Sequence, residues 1–362
     1  MDLNYIIKWV RITTLKRRII MITQSTNNPV THKKPKAVGL ISGGLDSTLA
    51  AQIVKDLGVD VYGVYFSMPW GCCDKTKAIE AAQQIGIKFI VLHLDERYLE
   101  IVKKPKYGYG SGLNPCVDCR IHMFSRAAQY MQHIGGDFVF TGEVLGQRPM
   151  SQMRKSLQWI EEGTGLQGRL LRPLCAKHLE PTIPEQEGLI DRSKLLDLSG
   201  RSRKEQYRLA GEFHITQFSP PAGGCLLTDH NFARRIKDTF QYGYRNFRET
   251  TALKWGRHFR INESFKLIIG RDEEENESLI RYAHQDDIIM QLMDNLGPTV
   301  ILKGDQPSTE ILSLAAGFLQ IFSRYKTEEP QMVKYWPSHN KNHIQYIQAS
   351  MPSTQQMEQM HI

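Results

Sequence analysis

Three groups of residues in this chain have types and spacings that could do chemistry. The first is Ser42-Gly43-Gly44-Leu45-Asp46-Ser47, which follows an apolar run from Ala37 to Ile41 and opens an amphipathic pattern from Asp46 to Leu57. Two glycines allow a tight turn without Cβ clashes. A glycine-rich turn at a helix N-terminus presents unpaired N–H groups and a partial positive charge, which suit phosphate oxygens. The loop has no lysine and lacks the G-x-x-x-x-G-K-S/T spacing, so γ-phosphate transfer is not its natural chemistry. A plain helix cap needs one Ser or Asp; Ser42, both glycines, Asp46 and Ser47 together are more than a cap requires.

The second and third groups are thiols. Cys116 and Cys119 stand in Asn114-Pro115-Cys116-Val117-Asp118-Cys119 at an expected helix start, where the helix dipole should lower a thiol pKa. Cys225 ends the turn-rich Ser219-Pro220-Pro221-Ala222-Gly223-Gly224, which can carry a thiol into a cleft. A C-x-x-C pair with one remote Cys suits a [4Fe-4S] cluster with one iron left open, held by Cys116, Cys119 and Cys225. Zinc is the alternative metal, with His122 or Cys175 as fourth ligand. A metal-free alternative puts a persulfide on Cys119 with Cys225 resolving it; inert buried thiols are the remaining one. Cys72 and Cys73 are not assigned to catalysis, and Cys175, after the apolar Leu170 to Leu174, reads as core.

The elements that position these groups alternate. Strand 37–41, helix 46–57, strand 59–66, helix 74–85 and strand 87–94 form a βαβαβ pattern; a long loop at 103–115, a helix at 117–134 and strands at 138–141 and 170–174 follow. This predicts an α/β fold, a doubly wound parallel sheet with ligands at the carboxyl ends of its strands. A second, smaller α/β domain is expected from strands 266–270, 287–292 and 299–303 and helices 275–282 and 309–325. The expected boundaries are a basic and polar extension at 1–35, the nucleotide domain at 36–230, a linker at 231–255, the small module at 256–327 and a disordered, Gln- and Met-rich tail at 328–362.

Composition sets outer limits. The 362 residues suffice for two cores. No stretch reaches the roughly 18 to 20 apolar residues of a membrane span, so a soluble protein is expected. Six cysteines without a signal-peptide pattern favour a reducing, cytoplasmic setting. The net charge of +8 favours a polyanionic partner, nucleic acid first. Basic residues break the aliphatic run of residues 1–20, and Met21 is an alternative start.

Ser42-Gly43-Gly44-x-Asp46-Ser47 after the first strand resembles the PP-loop of the ATP pyrophosphatase family, whose members cleave ATP between the α- and β-phosphates and adenylate a substrate. Asn114 to Cys119 resembles the Asn-Pro-x-x-x-Cys segment of tRNA 2-thiouridylases, in which the last cysteine, here Cys119, accepts sulfur. Cys72-Cys73-Asp74 with its Ala-rich helix resembles another segment of that family. Thr141-Gly142-Glu143-Val144-Leu145-Gly146-Gln147, with Ser151-Gln152 and Leu171-Arg172-Pro173-Leu174, resembles 4-thiouridine synthases. His258-Phe259-Arg260 and Ile268 to Asn276 resemble NFACT-R modules of RNA-related proteins.

These resemblances imply a tRNA thiouridine synthase. ATP and Mg²⁺ would sit on Ser42, Gly43, Gly44, Asp46 and Ser47, with Asp46 catalytic. A uridine carbonyl would be adenylated, and sulfur from hydrosulfide or a sulfur-carrier protein would displace AMP. Catalytic roles fall on Cys119 and Cys225. Gln147, Arg148 and Gln152 are candidate contacts to RNA or nucleotide, and Lys104, Tyr107 and Tyr109 form a candidate RNA rim. No segment of the sequence resembles the rhodanese-like carrier or the N-terminal RNA-binding domain of 4-thiouridine synthases, so sulfur delivery and tRNA docking are expected to differ from theirs. Two alternatives stand beside this one: a PP-loop amidating ligase with ammonia as nucleophile, and a non-catalytic RNA-binding protein.

Overall fold

The computed structural model describes residues 34–71, 75–219, 225–244, 247–293, 297–324 and 329–362. The expectations for residues 1–33 and for Cys72 and Cys73 lie outside these. β1 (Lys36–Leu40) leads through the glycine turn into α1 (Leu45–Asp56), β2 (Asp60–Ser67), α2 (Lys75–Ile85) and β3 (Lys88–His93). α3 (Arg97–Lys103), α4 (Cys116–His133), β4 (Phe138–Phe140), α5 (Arg154–Thr164) and β5 (Leu170–Leu171) complete the layer. The strands pair in parallel, in the order β3-β2-β1-β4-β5.

Central placement explains the composition of β1. Ala37 and Val38 are fully buried, as in a strand covered on both faces. Gly39 stands in register with Phe140, and a Cβ there would come within 2.2 Å of the Phe140 ring. The chain runs outward from β1 to β3 and then returns to the other side of β1 as β4. The order therefore reverses between β1 and β4, and a crevice opens beyond their carboxyl ends. The Ser42 loop and the Thr141 loop border it.

Two expectations are corrected, and the stretch after β5 acquires elements of its own. The fifth strand stops at Leu171 because Arg172 turns inward to an ion pair and Pro173 has no N–H for the ladder. The charged stretch 176–219 holds α6 (Ile183–Gln186), closed by a Thr182/Glu185 capping box, and α7 (Lys204–Glu212). The expected linker is structured: α8 (His230–Tyr242) is capped by Asp229 and buries Phe232, Ala233 and Ile236 in the core that holds Trp70 and Tyr98. Trp70 Nε1 donates to Thr250 O at 2.8 Å, which ties the following turn to the same core.

The second sheet contains β6 (Arg257–Arg260), β7 (Lys266–Ile269), β8 (Ile288–Leu292), β9 (Val300–Lys303), β10 (Met332–Pro337) and β11 (Gln345–Gln348). Its order is β11-β10-β8-β9-β7-β6, all antiparallel. α9 (Glu273–Tyr282) and α10 (Thr309–Ile321) lie between its strands in sequence. α10 shares one core with Leu267, Met290, Leu302 and Val333, while Leu279 of α9 shares another with Ile268, Ile301 and Trp336.

The disordered tail is likewise corrected. β10 is an interior strand, with Val333 and Trp336 buried, and α11 (Thr354–Met360) starts at a Ser353/Gln356 capping box. Ile362 N donates to His258 O at 3.0 Å, so the last residue is tied to β6. The polar composition of the segment hid two short strands that are stabilised by sheet pairing rather than by their own apolar period.

Candidate active site

The glycine turn stitches itself together. Gly43 has φ +77°, a conformation that favours glycine, and a Cβ there would meet the backbone of α2 at 2.6 Å. Ser47 Oγ donates to Gly44 O at 2.9 Å and accepts from Ser42 N at 3.2 Å, while Gly44 N donates to Ser42 Oγ at 3.3 Å. Ser219 runs alongside: its N donates to Gly43 O at 2.7 Å. From the other side, a Cβ on Gly142 would stand 2.5 Å from the backbone of Asp46 and Ser47. Two distant loops thus close on the turn.

Asp46 is the centre of this closure. Its Oδ2 accepts from Gln147 Nε2 at 2.7 Å and lies 3.7 Å from the Arg203 guanidinium. Its Oδ1 is buried with no hydrogen-bond partner, as are Gln152 Oε1 and Ser219 Oγ. Buried polar atoms left unpaired at a cavity wall call for a ligand.

That cavity has a volume of about 320 Å³. Ser42, Gly44, Asp46 and Ser47 line it together with Cys116, Cys119 and Cys225. Leu40, Phe66, Met68 and Phe124 supply an apolar wall, and Arg120, Arg148 and Arg203 supply cations. The loop therefore has charge for phosphates without a lysine of its own. Gln152 lines the cavity, and Gln147 reaches it through Asp46.

Three expected participants stand elsewhere. Tyr107 packs its ring 4.9 Å from that of Trp159, and Tyr109 Oη donates to Val102 O at 2.7 Å, so both hold their own loop in place. Lys104 does not line the cavity. The two candidate fourth zinc ligands are also absent from its wall: buried Cys175 donates to Glu143 O at 3.3 Å, and His122 lies 3.9 Å from Asp95.

The Cys119 thiol does not follow the helix-dipole expectation. Cys116 and Cys119 occupy the first turn of α4, but the Cys119 thiol is pushed up to about 12. Burial is the main cause, the neighbouring Cys225 and Cys116 add to it, and Arg120 only partly offsets them. Tyr98, fully buried against the same thiols, is raised well above the ordinary phenol range by burial first and by Cys119 and Cys225 next. Cys116 Sγ donates to Asn114 Oδ1 at 3.1 Å.

Three soft thiols on one wall suit iron, and a bound metal would remove the proton that burial retains on Cys119. Among the described residues no group of three or more His, Cys, Asp or Glu side chains converges tightly enough to hold a metal ion. A single ion needs all its ligands around one atom, whereas a cluster anchors each thiolate to a different iron and spreads its ligands.

Behind the cavity lies a buried ion network absent from the sequence reading. Glu143 accepts from Arg120 Nε at 2.7 Å and from Arg172 Nε at 3.1 Å, and Arg172 also pairs with Glu161. Glu143 and Arg172 stood within recognised motifs, but their partners did not. Arg203 had no signal beyond its basic neighbours.

A five-stranded parallel sheet with a Ser-Gly-Gly-x-Asp-Ser loop at its switch point defines a HUP-type, PP-loop-like nucleotide domain, here joined to an antiparallel α/β domain. Residues 35–162 match the tRNA methyl transferase HUP domain, and residues 256–360 match the NFACT protein RNA binding domain. The second match includes the folded C-terminal segment. Among curated relatives, the tRNA-specific 2-thiouridylase MnmA of Tropheryma whipplei (strain Twist) is 33% identical over 144 residues, covering 35% of this chain and 40% of the relative. The Bacillus cytotoxicus MnmA is 29% identical over 219 residues, covering 57% and 56%. The chain thus spans from about two fifths to just over half of these relatives' length. A solved 4-thiouridine synthetase–RNA complex with bound ATP is 21% identical, covering 50% of this chain and 52% of that one, at a TM-score of 0.31. The C-terminal part of the Streptococcus suis fibronectin/fibrinogen-binding protein is 13% identical, covering 44% and 80%, at 0.27. Among the described residues no helix is long and apolar enough to cross a membrane.

Proposed function

We propose that this chain is an ATP-dependent tRNA sulfurtransferase that adenylates a uridine carbonyl and replaces its oxygen by sulfur. The observation that carries this is the shared cavity: the phosphate-type loop at Ser42 to Ser47 and the thiols of Cys116, Cys119 and Cys225 line the same walls. An amidating ligase needs the loop but not the thiols. A passive RNA-binding protein needs neither. The similarity of residues 35–162 to tRNA-modifying enzymes and of residues 256–360 to an RNA-binding domain supports tRNA as substrate.

In this reading the α1 N-terminus, Arg148 and Arg203 neutralise the phosphates of ATP, and Asp46 would hold Mg²⁺, which would supply further positive charge to them. The uridine carbonyl oxygen attacks the α-phosphorus; the α–β bridging P–O bond breaks and pyrophosphate leaves. Sulfur then attacks the activated carbon, and the C–O bond breaks to release AMP. The apolar wall excludes water, which would otherwise hydrolyse the adenylate.

Cys116, Cys119 and Cys225 would hold a [4Fe-4S] cluster, which supplies an open iron able to bind sulfide. The cluster is favoured over a persulfide because two-cysteine persulfide chemistry leaves Cys116 idle, whereas Cys116 beside Cys119 serves the cluster as a third ligand. An iron-free enzyme fully active with hydrosulfide under anaerobic conditions would remove the cluster.

The test is mass spectrometry of nucleosides from total tRNA of cells with and without this chain. Loss of one thiolated uridine supports the proposal. Unchanged thionucleosides, with AMP formed from ATP and ammonia in vitro, would replace it by the ligase.

A further inference from the structure

Next to Arg203 and Ser219, which line the cavity, lies a basic and aromatic surface that the chemistry above does not use. The chain reaches it by pairing with the loop after β4: Gly200 N donates to Leu145 O at 2.8 Å, and Ser199 bridges Leu145. The next residues are Arg201, Ser202, Arg203 and Lys204, where α7 begins. Arg203 and Gln206 face inward. Arg203 lies 3.7 Å from Asp46, and buried Gln206 contacts Gln147.

Tyr207, one helical turn beyond Arg203, is left outside. Its side chain is 48% exposed, although it is a large aromatic. Its ring centroid lies 6.3 Å from that of Phe218, which immediately precedes Ser219 on the cavity wall. The rings meet at 52°, so one face of Tyr207 is not covered by Phe218. Arg201 and Lys204 are exposed, with no ion pair among the described residues. Glu205 is engaged by Arg208 at 2.9 and 3.0 Å.

An aromatic platform flanked by unpaired cations is the arrangement that holds single-stranded nucleic acid, by base stacking and phosphate contact. It adjoins Arg203 and Ser219 of the cavity wall, within reach of a nucleotide next to one bound there. We propose that Tyr207, backed by Phe218, stacks a base of the substrate RNA strand next to the reacting nucleotide, with Arg201 and Lys204 on its phosphates. This rests on the tRNA thiolation proposed above and adds to it the docking surface. The rival occupant is the adenine of ATP, but the inner wall of Leu40, Phe66 and Met68 already offers an apolar site deeper in the cavity.

The test titrates the full chain with total tRNA from thiolation-deficient cells, and separately with ATP. Tyr207→Ala is expected to weaken tRNA binding about 5- to 100-fold, the range of one lost base stack, while Tyr207→Phe keeps it. The double variant Arg201→Gln/Lys204→Gln is expected to flatten the salt dependence of tRNA binding by about 1 to 2 in log–log slope. ATP affinity is expected to stay at the wild-type value in all three. Wild type that binds tRNA beside a Tyr207→Ala variant that binds it equally well overturns the docking surface alone. A selective loss of ATP affinity in Tyr207→Ala overturns it in favour of adenine stacking. Wild type with no affinity for tRNA overturns the thiolation proposal and this surface with it.

Discussion

Gln147 Nε2 donates to Asp46 Oδ2 at 2.7 Å across a separation of 101 residues. The bond joins the first turn of α1, just after β1, to the loop after β4, the two strands that flank the switch point, and fixes one carboxylate oxygen while the other is buried without a hydrogen-bond partner.

If that free oxygen serves ATP and its metal ion, Asp46→Asn should lower tRNA-dependent pyrophosphate release by about 100-fold or more at unchanged thermal stability. Gln147→Ala should cost about 10- to 100-fold, the range for a hydrogen bond to a charged group. An Asp46→Asn enzyme within about twofold of wild type would exclude the role.

Gly142→Ala should fail by crowding. The added Cβ would lie 2.5 Å from the backbone of Asp46 and Ser47, and backbone cannot rotate away as a side chain can. A destabilisation of about 1–3 kcal/mol and weaker ATP binding are expected, read by thermal melting and ATP titration. Gly211→Ala is the contrast, since nothing stands within 4 Å there and a helical Ala is favoured over Gly by about 0.5–1 kcal/mol.

The Cys119 thiol sets a pH dependence in metal-free protein. Its ordinary value of 9.0 is raised to about 12 in the fold, so the unfolded chain loses this proton first. The thiol's contribution to stability is then full below 9.0 and lost as pH rises towards about 12. Alkylation of Cys119 by iodoacetamide, followed by peptide mass spectrometry, should be slow at pH 7 and still rising at pH 10. A rate already at its plateau at pH 7 would contradict the buried, protonated thiol.

Asp238 ties α8 to the second sheet. It accepts from Arg260 Nε at 2.8 Å and from Lys266 Nζ at 2.7 Å, and all three side chains are largely buried. Burial alone would raise the Asp238 carboxyl, but Arg260 and Lys266 outweigh it and hold it below the usual range; burial pushes Lys266 down to about 8. Asp238→Ala leaves two buried cations without this partner and should cost about 3–5 kcal/mol in denaturant unfolding. Lys266→Met should cost much less, because the Asp238–Arg260 pair survives and one desolvated charge is gone.

Much of the first domain was legible because its signals are local. The apolar run at 37–41, the glycine turn and the alternating helices each speak through neighbours a few residues apart, and parallel βαβ units follow from that alternation. The cysteine spacing 116–119 was legible for the same reason. The tail was not: Val333 is buried in the core it shares with α10 and Trp336 in the one it shares with Leu279 of α9, so nothing within residues 328–362 alone announces a core.

From the sequence alone came the parallel fold, the phosphate-type loop and the set of thiols. Only the tertiary structure decided that the loop and the thiols share one cavity, that Arg120, Arg203, Gln147 and Glu143 surround them, and that Tyr107 and Tyr109 do not. The reason is physical. Motif spacing reports what one helix or turn can place within a few residues, whereas cavity partners here come from strand ends and helix starts that lie far apart in the chain and that the sheet order brings together. Burial is set by the same assembly, and it reversed the expected shift of Cys119 despite the helix start on which the sequence had placed it.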